Sequence, residues 1–174
     1  MSRPGYIDAI GRSGVLAALA PFDPHVAGTP PLGIDLPSSD IDILCHAPDP
    51  DRLAHVLWQD FSDCAGFSLR HWTTESRPLI ASFSAHGWMF EIFGSAQPVA
   101  EQPGWLHFQV EKRLLALGGQ AFHAKVMAAR HAGTKTEPAF AAALALPGNP
   151  YDALAALHPA PDDELALLIA RAGF

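Results

Sequence analysis

Asp40-Ile41-Asp42, inside the stretch GTPPLGIDLPSSDIDILC that runs from residue 28 to residue 45, sets two carboxylates two positions apart at the head of an apolar run. An ionised aspartate is costly to bury without a partner. On a strand, positions two apart share a face, so Asp40 and Asp42 point one way while Ile41 and Ile43 point the other. Glu91, in WMFEIFG at 88–94, is a third acid in an apolar strand. If its strand lies near 40–46 in the same sheet, the three carboxylates form one cluster. Packed carboxylates repel and raise one another's pKa unless a cation sits between them. Hard oxygen ligands suit Mg²⁺ or Mn²⁺. Two such ions can clamp a phosphoryl transfer, one activating the attacking oxygen and one steadying the departing pyrophosphate. Taken singly, each piece has an ordinary explanation. Asp40 behind Ser38-Ser39 fits turn chemistry, and a lone Glu91 fits an ion pair with an arginine or lysine.

Gly28-Thr29 supplies a second half to the pattern. Glycine permits a close backbone approach, and threonine offers a hydroxyl and a backbone N–H, so the pair can hold a terminal phosphate. Ten residues separate Thr29 from Asp40. Asp35, between them, reads as a loop residue. His46 lies four beyond Asp42 and is expected at the strand end. A metal-dependent phosphohydrolase is a weaker reading, because such sites recruit more histidine than this one offers.

These residues resemble the DNA polymerase β-like nucleotidyltransferase superfamily. Its pattern is an apolar residue, Gly, then Gly or Ser, roughly ten residues, Asp-x-Asp or Asp-x-Glu, and a third acid on a later strand. Here it falls on Ala27-Gly28-Thr29, Asp40-Ile41-Asp42 and Glu91, with Thr29 standing where serine is usual. A wider resemblance, carried by GTPPLGIDLPSSDIDILC, FEIFG, QPGWLHFQVEKRLL and GTKTEPAFAAALALPGNPY, is to an uncharacterised bacterial domain-of-unknown-function family grouped with the nucleotidyltransferases. The resemblance implies an α+β fold: a nucleotidyltransferase-like mixed β-sheet with flanking helices, then a C-terminal helical region. It implies Asp40, Asp42 and Glu91 as Mg²⁺ or Mn²⁺ ligands, with Glu91 also helping to activate the acceptor, and Gly28 and Thr29 as triphosphate contacts. The implied reaction moves a nucleotidyl group from a nucleoside triphosphate (NTP) to an acceptor. The alternative is a protein that keeps the fold for binding or regulation, with catalysis weak or lost.

A triphosphate needs cations besides the metal. Lys112, Arg113, Lys125, Arg130 and Lys135 all lie in the second half, and Lys125 and Lys135 are taken as the nucleotide-binding candidates. Lys125 borders the apolar face of its helix, and its ordinary explanation is a snorkelling surface lysine. Thr136 is expected to cap the helix that follows, with Pro138 in its first turn and Glu137 near the acceptor. Gln102, His107, Glu111 and Arg113 are further candidates for a polar lining. His107 and Glu111, four apart, would otherwise be an ordinary surface pair. Trp58, Trp72, Trp88 and Trp105 are expected in the core.

The elements that must position these groups follow from pattern. Apolar periodicity predicts a helix over 6–19, strands over 22–27 and 40–46, and a helix over 50–64 capped by Asp49. Strands are expected over 67–74, 79–85 and 88–94, the last two forming a hairpin about His86-Gly87. Helices are expected over 105–117, 120–131, 138–146, 150–157 and 162–172. The division is thus a core over 1–97 with a helical region, 98–174, packed on it.

With 174 residues, 49% hydrophobic and 17% charged, the chain can bury a substantial core. No apolar run approaches the roughly 20 residues of a membrane span, and the N-terminal stretch has no signal-peptide pattern. Two cysteines at non-ligand spacing fit a reducing compartment, so the cytoplasm is expected. A net charge of −7 argues against general nucleic-acid binding. It favours a small-molecule or protein acceptor, and leaves room for a protein partner.

Overall fold

The computed structural model describes residues 3–72 and 77–174. The fold is α+β, and the chain divides into two compact units. Met1–Pro31 and Ser38–Gln102 form the first, and Leu32–Pro37 and Pro103–Phe174 the second.

The first unit is built on five strands: β1 (His25–Ala27), β2 (Ile41–His46), β3 (Ala65–His71), β4 (Leu79–Ala85) and β5 (Trp88–Ser95). Their order across the sheet is β1-β2-β5-β4-β3, with β2 and β5 parallel and the other neighbours antiparallel. Period-two alternation sends Ile41, Ile43, Ala81, Phe83, Phe90 and Ile92 into one apolar cluster. There they meet Leu53, Leu57 and Phe61 of helix α3 (Pro50–Phe61). Phe83 stacks on Phe61 and Phe90 at ring-centroid distances of 4.5 and 5.0 Å. Asp49 caps α3 as expected, its carboxylate accepting from the Asp51 and Arg52 amides at 3.1 and 3.2 Å. The β4–β5 hairpin turns on His86-Gly87, both at positive φ.

Two expectations need correction here. The helix expected over 6–19 is broken at Gly14, whose φ of 69° is left-handed; it becomes α1 (Tyr6–Ser13) and the single turn α2 (Val15–Ala18). The strand expected over 22–27 starts only at His25, because Ala20–Phe22 is a 3-10 turn and Asp23 sits at φ 48°. The expected tail of the strand 67–74 reaches residues 73 and 74, outside the described residues; the observed β3 begins at Ala65 and ends at His71.

The second unit is helical: α4 (Pro103–His131), α5 (Thr136–Ala143), α6 (Pro150–Ala155) and α7 (Asp162–Arg171). Gly119, at φ 61° and ψ −159°, divides α4 at the point where the sequence predicts separate helices over 105–117 and 120–131. Val110, Leu114, Phe122, Phe140, Leu154 and Leu165 form its core, and Ile34, from the segment between Thr29 and Asp40, is buried among them. Lys135, not Thr136, is the N-cap of α5, and no side chain caps it. Thr136 is already helical, so its hydroxyl lies one residue past the capping position.

Candidate functional site

The register of the first unit turns scattered residues into a row. Asp42 pairs with Ala27 on β1 and with Glu91 on β5. Glu91 pairs with Ser82 on β4, and Ser82 with Ser68 on β3. The row therefore crosses all five strands as Ala27, Asp42, Glu91, Ser82, Ser68. Because residues 41, 43, 81, 90 and 92 face the core, Asp42, Glu91 and Ser82 face the other side, where each is half-buried.

Gly28 follows Ala27 with φ 75°. Even a methyl group there would collide with the Asp42 carboxylate. Glycine is thus required twice, for the left-handed backbone and for the close approach. Thr29 donates its hydroxyl to Ser39 Oγ at 3.1 Å, tying the two ends of the proline-rich loop together just before Asp40. So Gly28, Thr29, Asp40, Asp42 and Glu91 belong to one unit, and Gly28, Asp42 and Glu91 are immediate neighbours.

Burial raises the pKa of Glu91, and the Asp40 charge raises it further; Arg70 opposes both. Arg70 Nη2 lies 3.8 Å from Glu91 Oε2. Among the described residues no three His, Cys, Asp or Glu side chains converge as a ready metal cage. Asp42 and Glu91 share a face of the sheet, while Asp40, expected on the strand, lies just before β2, near enough for its charge to act on Glu91. Their donor chemistry nevertheless fits a hard divalent cation: half-buried carboxylate oxygens, no sulfur, and a proton affinity on Glu91 that a cation would relieve.

The remaining candidates serve elsewhere. Gln102 is buried, and its amide donates to the carbonyls of Cys45 and Gln97 at 3.0 and 2.9 Å. In the helical unit, Arg113 is fastened to Asp162 and to the carbonyls of His158 and Ala160. His107 and Glu111 are not a surface pair. His107 Nδ1 lies 3.7 Å from Glu137 Oε1, and Glu111 is only 5% exposed. Burial first, then the Glu137 charge, pushes the Glu111 carboxyl well above its ordinary pKa, against a lowering by Arg130. Lys125 and Lys135 are exposed residues of the second unit.

Reading by composition missed Arg70 and the Ser82–Ser68 pair, whose hydroxyls are 2.9 Å apart. The available signal was period two: serines at 68, 82 and 84 interrupt apolar strands on alternate positions. Two of the tryptophans expected in the core are also exposed. Trp58 and Trp72 lie at the surface, whereas Trp88 is buried and Trp105 is half-buried and stacks on Phe108.

A family model described as a domain of unknown function (DUF4269) matches residues 8–157. No curated protein matches the sequence. Among solved structures, the chain is similar to Cid1, described by its RNA terminal uridylyl transferase activity. The TM-score is 0.53 at 13% identity, over 83% of this chain and 44% of that one. It is similar also to the Cid1 poly(U) polymerase with MgGTP bound, with TM-score 0.52 at 14% identity over 83% and 46%. The third is the GLD-2/RNP-8 complex, with TM-score 0.51 at 9% identity over 86% and 55%. The chain spans about half the length of these proteins. At such identities the likeness establishes the fold alone, an α+β fold similar to those of nucleotidyltransferases. The chain belongs to the DUF4269 family.

Proposed function

We propose that this member of the DUF4269 family is a divalent-metal-dependent nucleotidyltransferase, moving a nucleotidyl group from an NTP to an acceptor hydroxyl. The observation that carries the reading is the row in which Asp42 and Glu91 stand side by side on parallel strands, with Gly28 pressed against the Asp42 carboxylate. That arrangement occurs in a nucleotidyltransferase-like fold.

In this reading Asp40, Asp42 and Glu91 hold Mg²⁺ or Mn²⁺, and Gly28 and Thr29 hold the triphosphate through backbone N–H groups and the Thr29 hydroxyl. A bound divalent ion supplies charge neutralisation on the phosphates and a lowered pKa for the acceptor hydroxyl. The acceptor oxygen attacks the α-phosphorus and forms the new P–O bond. The bond from the α-phosphorus to the bridging oxygen breaks, and pyrophosphate leaves with that electron pair. Glu91 takes the acceptor's proton. Lys125 and Lys135, expected from the sequence as phosphate contacts, belong to the second unit, and the reading does not rest on them. The acceptor is a small molecule or a protein side chain, in keeping with a net charge of −7. Two free cysteines are in keeping with the cytoplasm.

The test is calorimetric titration of NTPs with and without Mg²⁺, on the wild type and Asp42→Asn. Binding should require Mg²⁺ and weaken at least about tenfold in the variant, since loss of even an outer-shell partner costs that much. Metal-independent, variant-insensitive binding, or none, would sink the proposal. Arg70 lying on Glu91 favours a second reading, a nucleotidyltransferase-fold binding or regulatory protein with weak or lost catalysis. NTP binding that survives in both proteins without pyrophosphate release would select it.

A further inference from the structure

The row that carries Asp42 and Glu91 does not stop at the carboxylates. Ser82 comes next, and its hydroxyl is hydrogen-bonded to that of Ser68 at 2.9 Å. Arg70 lies two residues beyond Ser68 on the edge strand β3, and so on the same face. Its guanidinium reaches back to Glu91, yet the side chain is 57% exposed. Trp72 follows by another two residues; it is 53% exposed and packs edge-on against Phe93 at a centroid distance of 6.5 Å. Gly28 and Thr29 lie at the opposite end of the row, beyond Ala27.

This polarity has a chemical meaning. In-line phosphoryl transfer places attacking and leaving oxygens on opposite sides of the phosphorus. If the triphosphate is held at the β1 end, the acceptor must reach Glu91 from the β4–β3 end. What it meets there is a guanidinium, two hydroxyls and an exposed aromatic ring. Guanidinium donors match the oxygens of a phosphate, and serine hydroxyls add donors that turn to suit. An exposed ion pair is worth little, so Arg70 can exchange Glu91 for a phosphate at small cost. That exchange leaves Glu91 free for the acceptor's proton.

We propose that Arg70, Ser82 and Ser68 form an acceptor subsite, and that the acceptor is a small molecule carrying a phosphate group as well as its reacting hydroxyl. The assignment of the phosphate's bearer as the acceptor rests on the nucleotidyltransferase reading. The phosphate subsite itself does not. A polyanionic acceptor is disfavoured by a net charge of −7.

The experiment titrates inorganic phosphate into the full chain with Mg²⁺ and a saturating non-hydrolysable NTP analogue, followed by calorimetry. The proteins are the wild type, Arg70→Gln, Arg70→Lys and Thr29→Val. Phosphate should bind the wild type and weaken at least about tenfold in Arg70→Gln, as loss of a charge-assisted hydrogen bond requires. Arg70→Lys should fall between them, with the analogue titrated anew into each variant so that it is saturating throughout. Circular dichroism confirms that the variants are folded. Phosphate affinity insensitive to Arg70, or absent from the wild type, overturns the proposal. So does loss in Thr29→Val alone, which would put the phosphate at the donor end. If the analogue fails to bind but phosphate binding still depends on Arg70, the nucleotidyltransferase reading fails and the phosphate subsite stands.

Discussion

A methyl group at position 28 would enter the space filled by the Asp42 carboxylate, on a backbone with φ of 75°. Gly28→Ala should therefore cost about 1–3 kcal/mol in chemical denaturation, and should also abolish Mg²⁺-dependent NTP binding in calorimetry. An alanine tolerated in both assays would contradict the close approach. Glu111 makes a different prediction. Its carboxyl is raised well above the ordinary value of 4.5 by burial and by Glu137, with Arg130 opposing. The folded state then holds a proton that the unfolded chain releases. Stability should fall as pH rises above about 4.5, until the folded carboxyl itself ionises. Glu111→Gln removes that slope, so its melting temperature relative to the wild type should rise between pH 5 and pH 8. A relative Tm that falls would show Glu111 to be a stabilising anion. Residue types announced the acids at 40, 42 and 91 because carboxylates in apolar strands are conspicuous. Arg70 was not legible, since an arginine near the end of a short strand is unremarkable until the register sets it beside Glu91.

At the scale of elements, local chemistry was readable wherever it acts within a few residues. Asp49 before Pro50 signals a helix start, and the carboxylate accepts two amides. Asp49→Ala should lower stability by about 1 kcal/mol. Thr136→Ala should cost much less, because Lys135 occupies the cap position of α5 and no side chain caps it. Matched urea titrations would distinguish the two, and equal losses would refute the assignment. The break at Gly14 is harder to read, because glycine both weakens and ends helices; its left-handed φ shows that here it ends one.

At the scale of the whole molecule, two separate cores carry the stability. Phe83 lies at the centre of the first cluster and Phe122 in the second, both fully buried. Alanine at either position should cost about 3–5 kcal/mol in denaturant titrations. Among the described residues no helix is long and apolar enough to cross a membrane. With a net charge of −7, a generic single-stranded RNA should give no mobility shift at about 100 μM protein in physiological salt, the weak end of ordinary non-specific binding. A salt-sensitive shift would reveal a basic surface that the total charge conceals. The alternation that sends Ile41 and Ile43 to one face and Asp42 to the other is legible in the residues themselves, because side-chain direction in a strand is a local property. Asp40, Asp42 and the Gly28-Thr29 pair can be named as candidates for the same reason, from residue type and short spacing. Which strands are neighbours is set by the folded chain alone. Register brought Glu91 beside Asp42, carried the row on to Ser82 and Ser68, set Arg70 against Glu91, and buried Ile34 in the helical core. Such pairings join residues tens of positions apart through non-local hydrogen bonds and packing, which no short window of sequence contains.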